Sequence, residues 1–92
     1  MDSVFSQKDN RKCYVCGLTY QLHSHHIFPG PDRAVSERLG LKLDLCYQHH
    51  SDVHAFPNIG LDKELKQIGQ SYYEAHYGTR EDFMREFRKS YL

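Results

Sequence analysis

The sequence predicts a small α+β domain with a metal-holding core and two additional C-terminal helices. Three observations lead there: a cysteine and histidine cluster spread over residues 13–56, a strand-like alternation within that cluster, and helical apolar spacing over 61–92. The chain has 92 residues, and a body of this size buries only about 60% of the surface its unfolded form exposes, so a metal or an oligomer contact adds stability that the core alone lacks. Twelve Lys+Arg balance 12 Asp+Glu. No global basic field therefore draws in a polyanion, and affinity for nucleic acid has to come from a local patch or a bound ion. No apolar run approaches the roughly 18 residues a membrane span needs, and Met1–Lys8 has no signal-peptide core. The expectation is a soluble, cytoplasmic protein without a membrane partner.

The elements follow in order. Residues 1–12 are polar, with Lys8, Asp9, Asn10, Arg11 and Lys12 in succession, and read as a tail that becomes ordered only near Cys13; the single domain spans 13–92. Leu18, Thr19, Tyr20 and then His25 to Phe28 read as strand, which Pro29-Gly30-Pro31 ends. Asp32 suits an N-cap for a short helix over about 33–39, and Gly40 suits its stop. Leu41, Leu43 and Leu45 alternate with Lys42 and Asp44, the period of a half-buried strand leading into Cys46. A helix carrying His50 and His54 comes next and stops before Pro57. Leu61, Leu65, Ile68, Tyr72 and Ala75 fall at helical spacing behind an Asp62 cap, with Gly78 as the stop. Thr79 with Asp82 resembles a capping box, and Phe83, Phe87 and Tyr91 form the apolar stripe of a last helix.

Three cysteines are an odd number for a disulfide framework, and Cys13-x-x-Cys16 suits thiolates converging on one ion. Cys46-x-x-His49 repeats that spacing, so the two knuckles make a Cys3His set of the kind that holds structural zinc. The bland account is a pair of buried or free thiols beside an incidental histidine. Six of the seven histidines lie between residues 23 and 54. His50 and His54 are i, i+4 on the expected helix, so their rings lie one turn apart and can chelate one ion, whereas His49 points elsewhere. The segment Ser24-His25-His26-Ile27-Phe28-Pro29 can supply a third imidazole from a facing strand.

His25-His26-Ile27-x-Pro29, followed by Leu45-Cys46-x-x-His49-His50-x-x-x-His54 and preceded by Cys13-x-x-Cys16, resembles the HNH (His-Me finger, ββα-metal) endonuclease family over residues 13–54. The chain as a whole is similar to small phage- or prophage-encoded members. The resemblance implies a zinc-stabilised ββα-metal core and a metal-dependent DNA endonuclease or nickase at work in a bacterial host cell, in phage DNA processing or recombination. It makes His25, His50 and His54 the ligands of a catalytic divalent metal and His26 the general base. Adjacent strand residues point to opposite sides, which suits a pair with two different tasks. An imidazole's ordinary pKa near ~6.5 suits a base at cellular pH, and an all-imidazole site accepts magnesium, manganese, nickel or zinc to different degrees. DNA is the implied partner, to a monomer or a homodimer.

Two positions depart from the family pattern. Leu41 stands where many members carry Asn, so His26 must be oriented by a backbone carbonyl or another side chain. His49 replaces the commoner Cys, a chemically mild change. Arg11, Lys12, Arg33, Arg38 and Lys42 can line one face and meet phosphate, or can be ordinary solvated surface. Asp44 and Asp52 can orient a metal-bound imidazole, with solvent exposure as the plainer expectation. His23 is expected at the surface or behind a ligand, and His76 on a helix surface. The rival to the enzyme is a catalytically inactive zinc module that binds DNA or a host or phage protein; the neutral net charge, the small size and Leu41 point that way.

Overall fold

Strand β1 (Leu22–His26) and strand β2 (Lys42–Cys46) pair antiparallel. Leu22 lies opposite Cys46 and His26 opposite Lys42. They form the two-stranded sheet of the computed structural model, which describes residues 3–6 and 9–92. Four helices complete a small mixed α+β domain: α1 (Arg33–Leu39) between the strands, then α2 (Tyr47–Ala55), α3 (Gly60–His76) and α4 (Arg80–Phe87). Among the described residues no helix is long and apolar enough to cross a membrane.

The first strand begins later than the sequence suggests. Leu18–Tyr20 lie outside it, Gln21 takes a left-handed φ of 54°, and the chain pairs only from Leu22. Ile27 and Phe28, expected in the strand, follow it as fully buried residues. Their backbone groups are satisfied locally: the Ile27 N–H donates to the Leu41 carbonyl at 3.0 Å. The Ser36 hydroxyl accepts from the Phe28 N–H and donates to the Phe28 carbonyl, at 3.1 and 3.0 Å. A buried serine on α1 thus holds the segment directly after His26, and its loss would leave two polar groups unmet in the core.

Helix α1 has the expected limits, and Gly40 ends it with a left-handed φ of 72°. Asp32 occupies the cap position without capping. Its carboxylate instead accepts from Arg88 at 2.8 Å, tying the start of α1 to the chain beyond α4.

The half-buried pattern expected of the second strand is not what forms: Leu43, Asp44, Leu45 and Cys46 are all buried. The reason lies in the N-terminal segment, which the sequence reads as a tail. The Ser3 hydroxyl donates to the Lys42 carbonyl, the Val4 N–H donates to Gly40 at 3.0 Å, and the Asp44 N–H donates to the Ser6 hydroxyl at 2.9 Å. Arg11 then grips the Asp44 carboxylate with two bonds of 2.8 and 3.1 Å. Residues 3–6 therefore cover β2 well before Cys13 is reached; residues 1, 2, 7 and 8 of the expected tail lie outside the described residues.

The buried face of α3 is also rotated from the expected stripe. Leu65 is buried as anticipated, but Gly69, Gln70 and Tyr73 join it while Ala75 is exposed. A Cβ at Gly69 would lie 3.0 Å from a Phe28 ring carbon and 3.1 Å from an Ile27 methyl, so the missing side chain lets α3 press against the segment behind His26. Asp62 does not cap α3 from outside; it lies in the first turn, accepts from the Asn58 N–H at 2.6 Å and pairs with Lys66 at 2.9 Å, both side chains buried. At the other end of this layer, Phe28 packs on Phe83, Phe87 and Tyr91 with ring centroids 5.5, 4.6 and 5.5 Å away. Phe83 and Phe87 are core, each ring contributing roughly 1.5–3 kcal/mol by burial; Tyr91, expected on the same helix, lies beyond its end at Phe87, where Arg88 turns left-handed, and packs half-buried against the core.

Thr79 and Asp82 form the expected capping box at the start of α4, with reciprocal bonds of 3.1 and 2.9 Å. Thr79→Ala is expected to cost about 1 kcal/mol, read as a fall of roughly 4–8 °C in the thermal midpoint. Phe28→Ala removes the ring that joins both layers and is expected to cost about 3–5 kcal/mol in denaturant titration.

Candidate metal centres and the adjoining cleft

A tight loop presents the first knuckle. Gly17, at φ 79°, folds the chain back so that its N–H donates to the Cys13 carbonyl at 2.9 Å while the Cys13 N–H donates to Leu18 at 2.8 Å. The second knuckle straddles the junction of β2 and α2: Cys46 is the last strand residue and His49 lies in the first helical turn. The ligand atoms of Cys13, Cys16, Cys46 and His49 all lie within 4.8 Å of one another. Cys16 Sγ is 3.9 Å from Cys46 Sγ, and His49 Nδ1 is 3.6 Å from Cys13 Sγ and 3.2 Å from Cys46 Sγ. A tetrahedral zinc with ordinary bond lengths sets these edges at about 3.8 Å for two sulfurs and about 3.6 Å for sulfur to nitrogen. The four residues can hold a metal ion, and the donor set fits zinc. Burial works to raise the Cys13 thiol, but backbone N–H groups of Cys46, Cys16 and Val15 and the His49 ring outweigh it and bring the pKa down to about 6. Thiolate, the form that binds metal, is thereby favoured near neutral pH.

The second cluster faces the other way from the same junction. His50 and His54 lie one turn apart on α2, with Nε2 atoms 3.0 Å apart, close to the roughly 3.3 Å edge of two imidazoles on one tetrahedral ion. His25 approaches from β1, its ring centroid 5.4 Å from His50 and 5.8 Å from His54. The three ligand atoms again fall within 4.8 Å of one another. His25 is 3% exposed, and its Nε2 is the buried side-chain atom left without a hydrogen-bond partner among the described residues. Such an orphan costs about 1–3 kcal/mol. An ion at this position would satisfy it, so the residues present fit a metal. Burial, and then the neighbouring His50, push the His25 pKa down to about 4, and burial followed by His54 and His23 lowers that of His50. Both shifts favour the neutral ring, the form that binds a metal. His23 is exposed and stacks on His50 at 5.0 Å, covering one face of that ring.

Beside this cluster opens a cleft of about 290 Å³ lined by Ser24, His25, His26, Pro29, Gly30, Arg33, His50 and His54. His26 ends β1 on the cleft wall, its side chain 12% exposed and its Nε2 3.4 Å from Glu37 Oε1 on α1. Of the five cations singled out by sequence, Arg11 is paired with Asp44, Arg38 with Glu86 and Lys42 with Glu37. Lys12 lines a different pocket, with Phe5 and Tyr14. Only Arg33 borders the histidine cleft. Comparison with protein-family models, with curated proteins and with solved structures found no match for this chain.

Every ligand expected from sequence therefore falls in one of two clusters, and His26 stands next to the second. The other polar residues are placed differently. Asp44 is buried against Arg11 and touches no imidazole, contrary to the solvent exposure expected of it, while Asp52 is exposed. His76 is exposed on α3, its ring 4.2 Å from that of Tyr72. Sequence reasoning missed Glu37 and Ser36. Both come from a helix whose face toward His26 is set by the strand pairing, and no local signal marks them.

Two ions per chain are expected from elemental analysis of zinc-loaded protein. His50→Ala combined with His54→Ala should lose one of them and keep the fold. Cys46→Ser should lose the other together with the thermal transition, because structural zinc contributes folding free energy directly.

Proposed function

We propose that this chain is a metal-dependent DNA endonuclease or nickase of the HNH, His-Me finger type. The observation that carries the reading is the convergence of three imidazoles, one with a buried unpartnered nitrogen, in an open cleft that His26 also lines. The order of the antiparallel pair and the helix that follows it supports a ββα-metal core, with Cys13, Cys16, Cys46 and His49 as its zinc staple.

His25, His50 and His54 hold the catalytic divalent ion, be it magnesium, manganese, nickel or zinc. When bound, the ion supplies Lewis-acid stabilisation of charge on the phosphate and on the departing 3′ oxygen. His26 accepts a proton from the water that attacks phosphorus, a role that contributes typically 10²–10⁴-fold. Arg33, free of any ion pair among the described residues, steers the phosphodiester into the cleft and holds it there. The net charge of 0 leaves this local cation and the ion as the electrostatic attraction for DNA, so binding should be weak in salt. A place in phage DNA processing or recombination is part of this reading, with DNA as partner and a monomer or homodimer as the acting form.

A second reading keeps the zinc staple and drops the chemistry: a module that binds DNA or a host or phage protein. Leu41 favours it, since the residue is fully buried and offers His26 no polar group. Plasmid nicking separates the two. The nuclease reading expects relaxation of supercoiled DNA with at least one divalent ion, a loss of 10²-fold or more in His26→Ala, and a raised KM with a smaller kcat change in Arg33→Ala. Absence of cleavage with every ion, in protein that holds about one zinc per chain, would leave the binding module.

A further inference from the structure

We propose that Glu37 is the positioning residue of His26: its carboxylate accepts the Nε2–H of the neutral ring and leaves Nδ1 as the nitrogen with the available lone pair. The catalytic meaning of this assignment rests on the nuclease reading above; the side-chain arrangement does not.

The argument starts from what a carboxylate can do. An ionised carboxylate only accepts, so the ring nitrogen facing it at 3.4 Å must carry hydrogen. A neutral imidazole has one N–H, and fixing it at Nε2 fixes the tautomer. Glu37 is kept ionised by the Lys42 ammonium and then by the His26 ring, which hold its pKa down to about 2. The strand register explains why these groups meet: His26 lies opposite Lys42, and both reach the one carboxylate that α1 projects over the end of the sheet. Nδ1 has no hydrogen-bond partner among the described residues, and His26 lines the cleft. Among the described residues no other side chain is hydrogen-bonded to the ring. Leu41 is fully buried and apolar, and Asp44 is committed to Arg11.

The consequence is a base whose free nitrogen is selected before substrate arrives, so the fraction of rings in the productive form does not depend on the phosphate. Loss of the carboxylate lets the ring exchange tautomers and rotate, which lowers the rate of the chemical step without removing a contact to DNA.

Long-range proton–nitrogen spectra of the imidazoles in zinc-loaded protein test the arrangement, with the His26 signals assigned by their loss in His26→Ala. Wild type should show His26 protonated at Nε2, and Glu37→Ala a mixture of tautomers with an unchanged thermal midpoint. In nicking kinetics Glu37→Ala should lower kcat roughly 10- to 100-fold with KM little altered. Glu37→Gln, whose Oε1 still accepts, should restore the tautomer and most of the rate. A wild-type ring protonated at Nδ1, a spectrum indifferent to Glu37→Ala, or a Gln variant as impaired as the Ala variant overturns the proposal. Wild-type protein that nicks nothing sinks the nuclease reading alone, because the spectra still decide what Glu37 does to the ring.

Discussion

The molecule is organised by the junction at Cys46, where β2 becomes α2 without a linker. One backbone turn there sends Cys46 and His49 toward the first knuckle and His50 and His54 toward β1. A helix advances 100° per residue, so neighbours His49 and His50 point apart while His50 and His54 nearly superpose. Two candidate ion sites therefore share one short piece of chain without drawing on the same side chains. The cost is that strand and helix must meet at a fixed angle, and the packing of Val53, Leu65 and the Ile27–Phe28 segment serves that purpose.

Burial and electrostatics act together at the histidine cluster. His25 is removed from water between β1 and α2, which disfavours its charged form and leaves a nitrogen with no protein partner. His50 and His54 can share one proton across their 3.0 Å Nε2 contact, but the buried His25 nitrogen has no such partner, and a cation among the three rings would supply one. With a net charge of 0 the protein has no long-range field for a polyanion, so any anion entering the cleft meets only its local charges. Arg33 and a bound cation are then the features that a phosphate would meet.

Support for His26 comes from far along the chain. Ser36 satisfies the backbone of Phe28, Gly69 admits α3 against Ile27 and Phe28, and the α4 rings close over Phe28 from the other side. The C-terminal helices are thus a brace for the strand end that carries the proposed base, and they hold it through packing on Ile27 and Phe28.

Sequence by itself determined the two groups of candidate ligands, the limits of α1, the helix bearing His50 and His54, and the capping box at Thr79. These are governed by spacing along a few residues, where helical periodicity, knuckle geometry and turn chemistry act locally. Tertiary structure decided the rest. Burial of Asp44 needed the N-terminal segment to lie on β2. The buried face of α3 was rotated because Gly69, which carries no apolar surface of its own, is the point of closest approach. Glu37, 11 positions from His26, reached it only because His26 pairs with Lys42, so their meeting depends on the register of two strands and on the path of the helix between them. Local rules name what a residue can bind; which partner it meets is set by how distant segments pack.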